Sequence, residues 1–179
     1  ALGMQETLSN IFSGLQLILS RQIRIGDYVS ISPTEEGKVA DINFRFTTVQ
    51  TLSGNTIIVP NQKLASSILT NYNMPAQEIA VSVPVGVSYA SDLDKVERVT
   101  LEVANEVMEA FDHGVESDPV VRFHTFGDSA IEFNVVLRTS SFVNQFLLKH
   151  EFIKALTRRY REEGIDIPFP VRTIVQAKE

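Results

Sequence analysis

The hydrophobic period changes twice along this chain, and those changes limit what it can fold into. In residues 4–20, large apolar side chains stand at Met4, Leu8, Ile11, Phe12, Leu15, Ile18 and Leu19. Spacings of three and four put them on one helical face. After Arg21 and Arg24 the chain turns through Gly26-Asp27, and from Tyr28 to Asn73 the apolar residues alternate as in strands. Beyond Pro75 strand-like and helix-like segments alternate again. Burying each large residue of the opening face is worth ~1.5–3 kcal/mol, so that face demands a partner.

A membrane span needs about 20 predominantly apolar residues. Glu6 and the Ser, Asn and Gln positions of the opening helix fit a single lipid-embedded span poorly. They fit an amphipathic helix at an interface or against sister helices; a helix covering the core of a soluble domain has the same periodicity. Arg21 and Arg24, just past the apolar face, favour the cytoplasmic side of a membrane. Ala1 begins in mid-pattern, which predicts a segment of a longer protein.

Within 28–73, Tyr28–Ile31, Lys38–Ile42, 44–51 and 55–60 read as strands of a small, strongly bent sheet. Glu36-Gly37 reads as a turn, and Ser53-Gly54 as a hairpin turn. After Pro75 a strand (78–88) leads to a helix from Asp92 to Asp112, with Ser91 as N-cap and Gly114 past its end. Its buried stripe is Val96, Val99, Val103, Val107 and Phe111. Strands at 120–126 and 131–138 follow. A second helix, about 142–163, is expected to bury Val143, Phe146, Leu147, Ile153, Leu156 and Tyr160 and to stop at Gly164. A last strand, 171–176, is set apart by Pro168 and Pro170. The order β-α-β-β-α-β is the split, ferredoxin-like order.

Charge marks the same division. Residues 1–75 hold five basic and five acidic side chains, and residues 76–179 hold eleven and seventeen. The overall −6 argues against nucleic acid as a partner. There is no cysteine, so thiolate sites are excluded. His113, His124 and His150 fall in different elements with no metal-ligand spacing. No serine sits in a nucleophile elbow. An enzyme is therefore not expected, nor a cofactor.

Four segments together resemble the small-conductance mechanosensitive channel family, MscS: "LSNIFSG" (8–14), "RIGDYV" (24–29), "GNTIIVPNQKL" (54–64) and "IPFPVRTI" (167–174). The resemblance implies an α+β, ring-forming chain in four parts. These are the amphipathic end of a pore helix (1–21), an Sm-like β domain (22–75), a ferredoxin-like αβ domain (76–167), and a C-terminal barrel strand and tail (168–179). It implies a homo-heptamer in the inner membrane, with this segment on the cytoplasmic side as the vestibule of a tension-gated channel. Membrane lipid would lie near the first helix, and ions and small osmolytes would permeate. Leu2 would fall near the pore constriction, and Gly14, with Glu6 at the usual kink position, would bear on the helix bend. Arg21 and Arg24 would mark the membrane interface. Val171, Thr173 and Val175 would lie on the ring-closing strand. A polar residue on the helix's non-lipid face needs a partner, so Asn10 is expected close to Asn61, Gln62 and Lys63, coupling helix to β domain. A soluble Sm-like adaptor or RNA-binding module is the alternative.

Overall fold

The computed structural model describes residues 2–111 and 115–170, with side chains from residue 4 onward. The chain divides into two units, Ala1–Gln77 and Glu78–Glu179. Val171, Thr173, Val175, His113, Gly114 and the Leu2 side chain lie outside the described residues.

The first unit runs α1 (Leu2–Ser20), β1 (Tyr28–Ser32), β2 (Glu35–Ile42), β3 (Phe46–Gln50), β4 (Thr56–Pro60), α2 (Asn61–Ser66) and β5 (Thr70–Asn71). Its sheet has the order β4-β3-β2-β1-β5 with every pair antiparallel. Register shifts at Ser30/Ser32 and Val39/Asp41 bend it. Val29, Val39, Val49 and Val59 point inward from successive strands and pack with Leu17, Ile23 and Leu64.

Two local expectations are corrected. Gly37 is not in a turn, because β2 runs through it. A Cβ there would overlap the Gln50 carbonyl, so glycine lets β3 come close. The strand-like run expected from Tyr28 to Asn73 is interrupted after β4 by the short helix α2. Gly54, at φ +84°, does form the expected hairpin turn, closed by Thr51 N–H donating to the Asn55 carbonyl at 2.8 Å.

The second unit runs β6 (Ile79–Val87), α3 (Leu93–Phe111), β7 (Val120–Phe126), β8 (Ile131–Thr139) and α4 (Asn144–Glu163). The sheet order is β6-β8-β7, with β8 antiparallel to both neighbours. β6 and β7 are thus parallel, and α3 is the crossover such a pair requires. The inner face of the sheet, including Val81, Val83, Phe133, Val135 and Leu137, packs on Val96, Val99 and Val103 of α3 and Leu148, Phe152 and Leu156 of α4.

The helix ends and faces differ from the expectation. Asp92, not Ser91, caps α3: its Oδ1 accepts from the N–H groups of Asp94 (3.0 Å) and Lys95 (3.2 Å). On α3, Val107 and Phe111 are only half-buried, and Thr100, Ala104 and Met108 complete the stripe. On α4 the buried stripe is Leu148, Phe152, Leu156 and Tyr160. Val143, Phe146, Leu147 and Ile153 are exposed. A helix with apolar residues on two faces has two candidate stripes, and sheet packing selected the one with spacing of four. Gly164, at φ +67°, ends α4, and the next N–H, of Ile165, reaches back to the Tyr160 carbonyl at 2.9 Å.

One polar pair crosses this core. Thr100 Oγ1 donates to the Val96 carbonyl at 2.6 Å, so it accepts from Tyr160 O–H, also at 2.6 Å. Burial pushes the Tyr160 phenol up to about 12, the bond to Thr100 opposing it in part. At the outer seam Arg159 forks onto Glu106 at 2.8 and 3.1 Å, and Lys95 meets Glu163 at 3.1 Å. These pairs are partly exposed, so solvent and salt screen them.

Candidate functional site at the helix–sheet junction

α1 meets its own sheet through a narrow stripe. Asn10, Gly14 and Leu17 are buried, whereas Met4, Leu8, Ile11, Phe12, Leu15, Ile18 and Leu19 are all exposed. Spacings of four and three put the buried trio on one face. What the unit buries is an amide, a glycine and one leucine. The broad apolar face points away from it.

Asn10 is the polar anchor. Its Oδ1 accepts from the Gln62 N–H at 3.0 Å, and its Nδ2 donates to the Glu6 carbonyl one turn back at 3.1 Å. Gln62 is in the first turn of α2, where backbone N–H groups lack partners within the helix. Asn61, fully buried, ties the strands in: its Nδ2 donates to the Asn43 carbonyl at 2.8 Å and its Oδ1 accepts from Thr47 Oγ1 at 3.0 Å. Its own N–H reaches the Arg45 carbonyl at 3.0 Å. An apolar residue at 61 would strand two groups, the Asn43 carbonyl and the Thr47 hydroxyl, each costing about 1–3 kcal/mol.

Gly14 lies over this network. A Cβ there would overlap Asn61 Nδ2 and come within 2.9 Å of the Phe44 carbonyl oxygen and 3.2 Å of that of Asn43. α1 is continuous helix through both Glu6 and Gly14, and the glycine's observed use is close approach to the 43–44 loop. Lys63 is exposed and bonds to no side chain of the junction; Asn10, Asn61 and the Gln62 backbone are brought together, and Lys63 is not.

The exit from α1 is equally specific. Arg21 takes φ +52° and Gly26 φ +100°, turning the chain back onto the sheet. Asp27, mostly buried, accepts from the Arg24 N–H at 2.9 Å and from Asn71 Nδ2 at 2.8 Å. Asn71 Nδ2 also reaches the Gln22 carbonyl at 3.0 Å, so the edge strand β5 fastens the same turn. Arg21 and Arg24 remain exposed and flank an apolar hollow of about 420 Å³ lined by Ile18, Ile23, Ile25 and Ile42.

Asn43, Phe44 and Thr47 were not anticipated as parts of the junction. Asn43 carries a usable signal, since its Oδ1 accepts from the N–H groups of Arg45 (3.1 Å) and Phe46 (3.0 Å) as asparagine does in turns. Nothing in the spacing of Thr47 and Asn61 announces that they pair. The second unit has one comparable clasp: Glu78 accepts from Ser117 Oγ and from the Glu116 N–H at 2.8 Å, and these bonds, with Arg138 adding a little, hold its carboxyl below the usual range. Neither network sets a nucleophile beside a base. Among the described residues no group of three or more His, Cys, Asp or Glu is arranged to hold a metal ion, and no helix is long and apolar enough to cross a membrane.

Comparison with known proteins covers both units. Residues 6–74 match the β-domain of mechanosensitive ion channels, and residues 81–167 match the C-terminal region of the mechanosensitive ion channel MscS. An uncharacterized MscS family protein of Archaeoglobus fulgidus is 31% identical over 98% of this chain and 60% of its own length. The small-conductance mechanosensitive channel MscMJ of Methanocaldococcus jannaschii is 26% identical over 100% of this chain and 51% of its own. The closed-state crystal structure of Helicobacter pylori MscS superposes with a TM-score of 0.81 at 27% identity, covering 100% of this chain and 69% of that one. The chain thus spans about half the length of the curated relatives it matches.

Proposed function

We propose a vestibule role on one premise, that this chain belongs to the MscS family of mechanosensitive ion channels. The family consists of membrane channels and not enzymes. In this chain's part of such a channel, α1 is the amphipathic end of a pore helix. The first unit is an Sm-like β domain and the second a ferredoxin-like αβ domain. Copies assemble as a heptameric ring on the cytoplasmic side of the membrane. Ions and small osmolytes leaving the cell on hypo-osmotic shock pass through this ring. Membrane tension is sensed elsewhere in the channel.

The observation that carries the reading is the inverted packing of α1. Seven large apolar side chains face away from their own unit, while an asparagine, a glycine and a leucine face in. A helix that hides its amide and shows its hydrophobes has its main partner elsewhere, in sister helices and lipid. Arg21 and Arg24 lie where that face ends, suited to anionic headgroups. Within this reading Asn10 and Gln62 are the mechanical link. Movement of α1 pulls on the first turn of α2, and through Asn61 on β3 and the 43–44 loop. Leu2 at the constriction and Val171, Thr173 and Val175 in a ring-closing barrel belong to the same proposal.

The first test is the native mass of the chain in mild detergent. A sevenfold assembly is expected. A monomer at all concentrations overturns the ring and turns attention to RNA binding by the β domain. In the channel, Asn10→Ala is expected to shift the tension threshold in patch-clamp recordings; an unchanged threshold removes the coupling role.

A further inference from the structure

Among the described residues, α3 and α4 each leave one flank uncovered, and the two flanks are complementary. On α4 the uncovered flank carries Val143, Phe146 and Ile153, exposed by 50%, 56% and 46%, together with His150 and, toward the C-terminal end, Arg161. Arg161 has no carboxylate partner among the described residues. On α3 the uncovered flank holds a shallow depression of about 410 Å³ lined by Asp94, Glu97, Arg98, Leu101, Glu102 and Asn105. Arg98 is taken by Glu102 at 3.1 Å, but Asp94 and Glu97 meet no cation among the described residues. One flank is apolar and basic, the other concave and acidic.

We propose that the α4 flank of one copy docks on the α3 flank of the next, as a head-to-tail contact between second units. This rests on the ring reading above and names the surfaces that would make the ring. Within one unit the helices run antiparallel, as Lys95 near the start of α3 meets Glu163 near the end of α4, and Glu106 meets Arg159. Repeating the unit about an axis along the helices keeps that sense. Asp94 then faces Arg161, Leu101 faces Ile153, and Asn105 faces His150. Asp94–Asn105 and His150–Arg161 are the same number of residues apart, about 16 Å of helix at 1.5 Å per residue, so the pairs stay in step. Opposite charges meet at one end, and apolar side chains fill the depression between. Different patches on the two faces make the contact heterologous, the kind that closes into rings instead of stopping at a dimer.

The absence of cysteine makes the test clean. Asn105→Cys and His150→Cys replace exposed side chains, and the double variant is oxidised in mild detergent, with native mass measured on the same sample. The expected result is a ladder of covalent multimers from the double variant and none from either single one. An assembly of normal mass with no ladder overturns this contact and leaves the ring standing. A ladder from a single variant shows a two-fold contact and overturns it too. A monomer removes the ring reading itself, and this contact with it. As a second measurement, Asp94→Arg is expected to cut the cross-linked fraction several-fold and Asp94→Arg with Arg161→Glu to restore it. An unchanged fraction in Asp94→Arg overturns the charge pairing.

Discussion

α1 and α3 are both 19-residue helices with apolar residues at helical spacing, yet they use that spacing in opposite ways. α3 buries Val96, Val99, Val103 and Met108 in its own unit and shows charge to solvent. Among its described side chains α1 buries only Asn10, Gly14 and Leu17, and leaves Phe12 67% and Leu19 72% exposed. The lesson is that amphipathicity states the need for a partner and not the partner's address. For α3 the address is the sheet beside it; the apolar face of α1 finds none among the described residues of its own unit.

The sharpest way to break this contrast is to delete an aromatic ring on each side of it. Phe152→Ala, in the core that α3 shares with α4, is expected to cost about 3–5 kcal/mol in denaturant unfolding of the second unit. Phe12→Ala on α1 is expected to change the stability of the first unit by less than about 0.5 kcal/mol, as surface substitutions do. A large effect at Phe12 in a monomeric sample would place that face against this chain after all.

The junction that holds α1 should be sensitive where the apolar face is not. Asn61→Ala strands the Asn43 carbonyl and the Thr47 hydroxyl in a buried site, with an expected loss of about 1–3 kcal/mol. Gly14→Ala sets the helix preference for alanine, ~1 kcal/mol, against overlap with Asn61 and the Phe44 carbonyl. Overpacking of this kind costs about 1–3 kcal/mol, so a net loss is expected in thermal unfolding. A gain in stability would show that α1 rides loosely on the sheet.

The smallest expected effect sharpens the α3 side. Tyr160→Phe removes one buried hydrogen bond, about 1 kcal/mol. The phenol's proton is held up to about 12 in the fold, against 10.0 normally. The unfolded chain therefore releases it first as pH rises. The stability linked to this group is complete below about pH 10 and lost between about 10 and 12. Unfolding followed across that range should fall less steeply in Tyr160→Phe than in the parent. Equal slopes would mean that Tyr160 is not held neutral by its burial.

Much of the fold could be read from the order of periods, because a stripe of period 3.6 or 2 is imposed by backbone geometry. The helices and long strands came out within a few residues of expectation. Gly37 was misread because a close approach by β3 leaves no mark in the residues beside it. Ser91 was preferred as the cap of α3 on spacing, and Asp92 took the role because its carboxylate sits directly before the first turn. The α4 face was misread in part: Leu156 and Tyr160 are core as expected, but Leu148 and Phe152, in step with them at spacings of four, are buried in place of Val143, Phe146, Leu147 and Ile153. At the junction, Asn10 was legible as a polar residue in need of a partner. Asn43 and Thr47 were not, since their contacts with Asn61 span 18 and 14 residues.

By itself the sequence determined the order of elements, the division of charge between the two halves, the chemical character of each helix face and the resemblance to mechanosensitive channels. These follow from side-chain identity and from periods that the backbone enforces locally. Only the tertiary structure decided which face of α1 is turned inward, which stripe of α4 is core, and that Asn10, Gly14 and Asn61 share one site. Those depend on which surfaces exclude water together, and that is settled by long-range packing and not by spacing along the chain.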